Sequence, residues 1–178
     1  ITLSTAKRVE RGDNKIALVG HTLRRAAIIF GIGLALAFFG NWSLETLRIP
    51  GVLQRIGICY LVAGVLFLYT GMRGQMLATI GVLAAYWLLM FHYPVPGFGA
   101  GRLDVEGNFA HYIDGLFLSG HMYSQTKTWD PEGIVSTLPA IATTMFGVLT
   151  GHLMRRTHTH AERAARLFLS GNGLLFAG

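Results

Sequence analysis

Two arginines and a glutamine surround a proline in the string RIPGVLQR, residues 48–55. Proline suits the first position of a helix, so a helix is predicted to begin at Pro50. Its free N–H groups and positive dipole end, with Arg48 before it and Gln54 and Arg55 inside it, favour an anion: a phosphate, a carboxylate or a developing oxyanion. The alternative for Arg55 is structural, because its guanidinium can reach outward along its own stem or pair with a nearby acid.

A second polar cluster is the string WDPEG, residues 129–133. Asp130 before Pro131 has the form of an N-cap followed by proline at the first helical position, and Glu132 adds negative charge at the positive end of the helix dipole. Capping accounts for this pattern without any catalysis. The functional alternative is that Asp130 or Glu132 faces a cavity shared with Arg55, as an ion-pair partner or a proton acceptor.

Weaker candidates are two histidines and an aspartate further along the chain: His111, Asp114 and His121. Residues three apart share a helix face, which places His111 and Asp114 together. A metal site needs a third ligand at a recognised spacing, and these residues do not provide one, so no metal is predicted. The lone cysteine, Cys59, lies in an apolar run and is interpreted as a buried core residue.

The composition places all these residues in an apolar chain. Hydrophobic residues make up 52% of the 178 positions and charged residues only 13%. This composition excludes a disordered chain, a basic nucleic-acid-binding domain and an ordinary water-soluble enzyme. The predicted partner is therefore the lipid bilayer, and nucleic acid is not predicted as a partner. A bilayer core requires about 20 mostly apolar residues per helix. The predicted fold is all-α, a polytopic transmembrane bundle forming one domain over 1–178, with five spans of which the last is truncated: 22–42, 50–70, 75–93, 133–154 and 165–178.

The charges of the connecting segments alternate in sign along the chain. The segments 7–25, 71–74 and 155–166 together hold eleven basic residues and three acids, whereas 43–49 and the long loop 94–132 hold three basic residues and six acids. The positive-inside rule therefore makes the first group cytoplasmic and the second group external or lumenal. The overall charge of +6 is a signal of topology.

Two further features concern packing. Within the loop 94–132, apolar residues recur at helical spacing, which predicts a short amphipathic helix over 108–118 that lies on the outer surface or caps the bundle. In the fourth span, small residues form a stripe of the kind that lets helices approach closely, either within the bundle or in a homodimer: Ala140, Thr144, Gly147 and Gly151.

Four strings carry a resemblance to a known family: RIPGVLQRIGICY (48–60), PVPG (94–97), YID (112–114) and DPEGIVSTLPAI (130–141). In their order and spacing they resemble the transmembrane acyltransferases of the heparan-α-glucosaminide N-acetyltransferase family and its bacterial relatives. The resemblance implies a multi-pass enzyme, in a bacterial inner membrane, that takes an acetyl group from cytosolic acetyl-CoA and passes it to an amino sugar or glycan on the far side. The resemblance implies acetyl-CoA as the acyl donor and does not imply a metal cofactor.

The resemblance also bears on the candidate residues. Arg48, Gln54 and Arg55 are expected to line the far-side part of the transfer site, with Asp130 and Glu132 holding Arg55 or orienting the acceptor amine. The histidine central to transfer in that family lies upstream of the matched region, so the catalytic residue is left unassigned. The chain has no initiator methionine and ends in an apolar stretch. It is therefore expected to be an internal piece of a longer protein. Because the resemblance places the central histidine outside this piece, the piece is expected to be inactive alone.

Two other classes of function fit the same residues. The first is a transporter or flippase subunit for sugar-linked substrates, in which Arg55 and the outer acids bind substrate without covalent chemistry. The second is a purely structural membrane subunit. Movement of unmodified substrate distinguishes the transporter from the acyltransferase, which instead transfers a labelled acetyl group.

Overall fold

The computed structural model describes residues 2–156 and 159–177, and these form seven helices and no β-strand. In chain order the helices are α1 Thr2–Glu10, α2 Lys15–Asn41, α3 Val52–Tyr69, α4 Met72–His92, α5 Phe109–Phe117, α6 Thr137–Arg156 and α7 His160–Ala177. The predicted all-α class is confirmed. Residues 157 and 158 of the predicted loop 155–166, and the two chain-terminal positions 1 and 178, lie outside the described residues.

Four of these helices are long and apolar enough to cross a membrane: α2, α3, α4 and α6 up to Arg155. Their outer faces carry many exposed large apolar side chains, as a lipid environment requires. The predicted fifth span lies within α7, whose first two turns carry Glu162, Arg163 and Arg166. Among the described residues α7 does not reach the same hydropathy as the other four, so the fifth span stays a prediction.

Helix α3 begins two residues later than the sequence predicts. The first intrahelical bond runs from the Arg55 N–H to the Gly51 carbonyl oxygen at 2.9 Å, so Gly51 is the N-cap and Pro50 precedes the helix. The prediction that Pro50 occupies the first helical position is therefore wrong. A proline ring also fits the extended chain before a helix, and here it leads into a fully extended glycine.

Glycines on α3 bring α2 and α3 into close contact. A Cβ atom at Gly57 would lie 2.9 Å from the Ala26 carbonyl oxygen, and one at Gly64 would lie 2.7 Å from Thr22 Cγ2. Helices without a hydrophobic driving force between them depend on such small residues for backbone approach.

The small-residue stripe predicted on α6 does not bring another helix close along its whole length. Gly147 is exposed, and a Cβ atom added there would have no neighbour within 4 Å. Helix α6 instead packs through larger side chains in a core that includes Ile141, Met145 and Val148. The alternative use of the stripe, contact between two copies of the chain in a homodimer, is not supported.

The bundle has two chemically different ends. At one end Lys15 lies over the Tyr69 ring at 5.9 Å, and Arg155 pairs with Glu10. We call this the basic end, formed by the described residues of 7–25, 71–74 and 155–166. The opposite end, the acidic end, is formed by 43–49 and 94–132. The sign alternation of the sequence therefore becomes a separation in space, while the compartment that each end faces stays a prediction.

Helix α5 confirms the short helix predicted in the long loop. Asn108 caps it by accepting a hydrogen bond from the His111 N–H at 2.8 Å. Phe109 is buried, and its ring centroid lies 4.5 Å from that of Tyr93 at the end of α4. Of the two predicted placements, α5 therefore adopts the second and caps the bundle at its acidic end.

Candidate functional site at the acidic end

Arg48 is held by two carboxylates from a distant part of the chain. Its Nε donates to Asp130 Oδ2 at 2.9 Å, its Nη2 donates to Asp130 Oδ1 at 2.6 Å, and Nη2 also donates to Glu132 Oε2. The guanidinium carbon lies 4.5 Å from the centroid of the Tyr123 ring. The hydrogen bond to Asp130 raises the pKa of Arg48 above its ordinary value. We call Arg48, Asp130 and Glu132 the Arg48 clamp.

The clamp differs in burial from one member to the next. The Asp130 side chain is fully buried, whereas Arg48 and Glu132 keep part of their side-chain surface exposed. A buried carboxylate needs a fixed cation and further hydrogen bonds to offset its lost hydration. Asp130 has both, because Oδ1 also accepts from the Glu132 N–H at 2.9 Å.

Asp130 is not the N-cap of the fourth spanning helix. Helix α6 begins at Thr137, and residues between Asp130 and Thr137 form turns, the first closed by the Gly133 N–H donating to the Asp130 carbonyl oxygen at 2.9 Å. The capping interpretation of WDPEG is therefore wrong, and the helix of the fourth span begins four residues after the approximate start at 133. The local pattern is overridden by hydrogen bonds from another element, α5.

That element contributes Asp114, which lies beneath the turns. Its carboxylate accepts from the Asp130 N–H at 3.3 Å and from the Ile134 N–H at 3.0 Å, and the residue is 2% exposed. A Cβ atom at Gly133 would lie 2.0 Å from Asp114 Oδ2, so only glycine fits there. Burial raises the pKa of Asp114, partly offset by these two hydrogen bonds. Asp114 thus fixes the backbone on which Asp130 stands.

Arg55 binds the same turns without touching a carboxylate. Its Nη2 donates to the Pro131 carbonyl oxygen and to Ser136 Oγ, the latter at 2.8 Å. The expected pairing of Arg55 with Asp130 or Glu132 is therefore wrong, because Arg48 holds both acids. Arg55 Nε is enclosed and has no hydrogen-bond partner within residues 2–156 and 159–177.

The two histidine candidates have structural partners in the loop. His121 Nδ1 lies 2.8 Å from the Leu47 carbonyl oxygen, and the Ile49 N–H donates to the His121 carbonyl oxygen at 3.0 Å. His121 therefore pins the chain on both sides of Arg48. His111 contacts the Val105 carbonyl oxygen through Nδ1. In the described part of the chain, no three histidine, cysteine, aspartate or glutamate residues gather as metal ligands.

An open cleft of about 450 Å³ lies beside the clamp, between the end of α2 and the start of α3. This volume falls within the range of small-molecule sites. Its polar lining comes from both helices and from the loop: Asn41, Thr46, Arg48, Gln54, Tyr123 and Ser124. A smaller pocket of about 110 Å³ on the other side of Gln54 is lined by Arg55 and Glu132, among others. The arrangement can hold a polar ligand against a positively charged helix start.

Sequence reasoning identified both arginines and both acids but missed three of their contacts. Tyr123 lies in a segment whose composition carries no signal of a site, and Ser136 lies in the string 130–141 without any spacing that distinguishes it. The part played by Asp114 had a signal, since an aspartate within a short apolar helix must find partners for its buried charge. Its two partners lie sixteen and twenty residues further along, beyond the reach of local patterns.

Comparison with known proteins supports a distant relationship to one group of enzymes. The chain is 30% identical, over 202 aligned positions and 86% of its length, to heparan-alpha-glucosaminide N-acetyltransferase of Mus musculus. The same figures hold for heparan-alpha-glucosaminide N-acetyltransferase of Homo sapiens. The chain spans under a third of the length of these curated relatives, 31% and 30% respectively. No protein-family model matches the chain.

Proposed function

We propose that this multi-pass membrane chain, a distant relative of those transferases, belongs to an acyltransferase that moves an acetyl group from acetyl-CoA to an amino sugar on the other side of the membrane. The observation that carries the proposal is the meeting of the two most distinctive resembling strings, RIPGVLQR and DPEG. Arg48 and Asp130 are 82 residues apart in sequence and share two hydrogen bonds beside an open cleft.

The separation of charge supports a direction for the reaction. In the proposal the basic end faces the cytoplasm, where it attracts the negatively charged phosphates of acetyl-CoA. The acidic end faces the exterior or a lumen and receives the acceptor. Glu132 keeps 18% of its side chain exposed, so its carboxylate is available to an acceptor ammonium group as well as to Arg48.

Acetyl transfer to an amine makes two demands on a site. The amine must lose a proton to a base, and the carbonyl oxygen of the acetyl group gains negative charge as the bond to nitrogen forms. The start of α3 and the Arg55 side chain beside it supply positive potential for the second demand. The base is left unassigned within this chain, and the clamp is given a binding and positioning part.

The test is transfer of labelled acetyl from acetyl-CoA to a sugar acceptor by the complete protein in membranes. The Arg55→Ala variant is expected to lose at least about tenfold in transfer rate, since removal of one fixed donor to a developing oxyanion has effects of that size or larger. Arg102→Ala is the matched control, because Arg102 lies on the same loop side and its carboxylate partner is the exposed Asp104.

Three results would contradict the proposal. Arg55→Ala could turn over at the wild-type rate at matched membrane expression, which removes Arg55 from the mechanism. The complete protein could carry unmodified sugar across the membrane with no acetyl incorporated, which favours the transporter or flippase. It could also do neither, which leaves a structural subunit.

A further inference from the structure

Gln54 is buried without a partner, unlike the other deeply buried glutamine of this bundle. Gln54 is 4% exposed, and no hydrogen bond joins its carboxamide to any residue within 2–156 and 159–177. Gln75 is 1% exposed and donates to the Thr70 carbonyl oxygen at 3.0 Å, while its Oε1 lies 2.9 Å from His152 Nε2. Most polar side chains this deeply buried bond to other protein groups, so a carboxamide that instead faces open space is a candidate for binding a ligand.

The Gln54 carboxamide is directed into the cleft. In the described part of the chain, Arg55 Nε is the one side-chain polar atom that is both fully enclosed and without a hydrogen-bond partner. The two polar atoms of Gln54 also lack a partner there, so they are not fully enclosed and must contact open space. That space is the 450 Å³ cleft and the adjoining smaller pocket, both of which Gln54 lines.

Two glycines leave room for the carboxamide in this position. A Cβ atom at Gly51 would lie 2.6 Å from Gln54 Oε1, and one at Gly33 would lie 2.4 Å from the same oxygen. At Gly51 the three nearest atoms all belong to the Gln54 side chain. The backbone is extended there, with φ of −178°, so other residues can adopt it and only the side chain of Gln54 excludes them.

The chemistry of the surroundings selects the group that Gln54 can bind. A carboxamide offers N–H donors and one acceptor, and it can bond to one side of another amide, because the carbonyl oxygen and the N–H of a trans amide point in opposite directions. The start of α3 and Arg55 make the location positive, and Arg55 pairs with no carboxylate in the described ranges. A neutral amide with its carbonyl oxygen toward that potential is favoured there, whereas the ammonium group of an unreacted amine is attracted to the Glu132 carboxylate, which lines the smaller pocket.

We propose that Gln54 marks a subsite in the cleft for an acetamido group, so that the site holds the N-acetylated sugar through a hydrogen bond that the Gln54 carboxamide N–H donates to the acetyl carbonyl oxygen. This rests on the proposed function for the identity of the ligand, because an acetamido sugar is what acetyl transfer to an amino sugar produces. It makes Gln54 a residue that determines product binding.

The test is direct binding to the purified complete protein, without acetyl-CoA. The probes are methyl N-acetylglucosaminide and methyl glucosaminide, which differ only in the acetyl group. Wild-type protein is expected to bind the acetylated probe more tightly. Gln54→Met keeps the length of the side chain and removes its hydrogen-bonding groups, so it is expected to lose about fivefold to tenfold in affinity for that probe.

The thermal unfolding temperature provides a second readout. If Gln54 had a purely structural role, its replacement would lower that temperature. Gln54→Met is expected to unfold at the same or a higher temperature than wild type, because the variant loses no hydrogen bond to any residue within 2–156 and 159–177. Gln75→Met, the matched control, is expected to unfold at a lower temperature, because it leaves partners such as the Thr70 carbonyl oxygen unpaired.

A further variant keeps Gln54 in the sequence but displaces its side chain. Gly51→Ala places a methyl group where the carboxamide lies, so it is expected to weaken binding of the acetylated probe as Gln54→Met does. The inference is overturned if wild type does not prefer the acetylated probe, if Gln54→Met or Gly51→Ala binds it like wild type, or if Gln54→Met unfolds early. Gln54-dependent binding in a protein that transfers no acetyl overturns the proposed function alone.

Discussion

Arg48 and Arg55 flank the same helix start, yet the fold gives them different partners. Arg48 lies in the non-helical chain before α3 and extends across to the buried Asp130. Arg55 lies inside α3 and donates to the Pro131 carbonyl oxygen and the Ser136 hydroxyl group, in the turns that follow Asp130. Arg55 is expected from its depth in the span to pair with a counter-ion, but its Nη2 donates to neutral oxygens instead and its Nε has no partner among the described residues. The charge that is paired belongs to the residue outside the span.

The first prediction concerns the stability contributed by Arg48. Arg48→Ala leaves Asp130 buried and without its cation, and breaking a buried pair in this way costs about 3 kcal/mol. Arg48→Lys keeps the charge but loses the two parallel hydrogen bonds, so an intermediate loss is expected. Denaturant or thermal unfolding of the purified protein measures both.

Arg102→Ala serves as the control for that series. The Arg102–Asp104 pair is about half exposed on both sides, and exposed pairs contribute little. An Arg48→Ala protein as stable as Arg102→Ala would show that the clamp does not hold the acidic end together.

The second prediction concerns the pH dependence contributed by Asp114. Burial raises its pKa above the ordinary 3.8, so the folded protein holds a proton there at a pH where the unfolded chain has released it. The stability from this group is fully present below the ordinary pKa and is lost as the pH rises through the raised one. Asp114→Asn removes this titration, so the stability difference between wild type and variant should shrink as pH rises through that window.

Asp104 provides a control of opposite sign for the Asp114 series. The hydrogen bond from Arg102 lowers the pKa of Asp104, so the stability it contributes is present above the ordinary pKa and is lost as pH falls. A wild-type to Asp114→Asn difference that does not change with pH, or that changes in the same direction as the Asp104→Asn difference, would contradict the assignment.

At the scale of elements, the contact between α2 and α3 sets the shape of the cleft, because these two helices form its walls. The third prediction is that Gly57→Ala lowers the thermal unfolding temperature, since the added methyl group meets the Ala26 carbonyl oxygen at 2.9 Å and the helices must separate. Overpacking of this kind costs about 1–3 kcal/mol. Gly81→Ala on α4 meets open space and is expected to have no such effect. Equal unfolding temperatures for the two variants would contradict this account of the packing.

The elements also show which parts of the architecture local sequence determines. The short helix α5 follows from its apolar spacing and from Asn108, which caps it as its residue type allows. The start of α6 does not follow, although WDPEG has the composition of a helix start. Asp114 binds the backbone at Asp130 and Ile134, and this contact between separate elements keeps the chain in turns until Thr137.

At the scale of the whole molecule, the sequence predicts the distribution of charge better than the pairing within it. Alternation of basic and acidic segments correctly separates two ends of the bundle. It identifies Arg48, Arg55, Asp130 and Glu132 as neighbours, because helix ends on one side of a bundle must meet. The identity of each pair depends on side-chain reach and on residues such as Tyr123, whose position is set by the folded loop.

The proposed function requires that the acidic end, with the Arg48 clamp and the cleft, faces away from the cytoplasm. Single cysteines at two exposed positions report this directly in the complete protein: Glu106→Cys at the acidic end and Arg11→Cys at the basic end, in a background where Cys59 is replaced by alanine. A membrane-impermeant maleimide is expected to label Glu106→Cys in intact spheroplasts and Arg11→Cys only after permeabilisation. Labelling of both from the same side, or in the reverse order, would contradict the account.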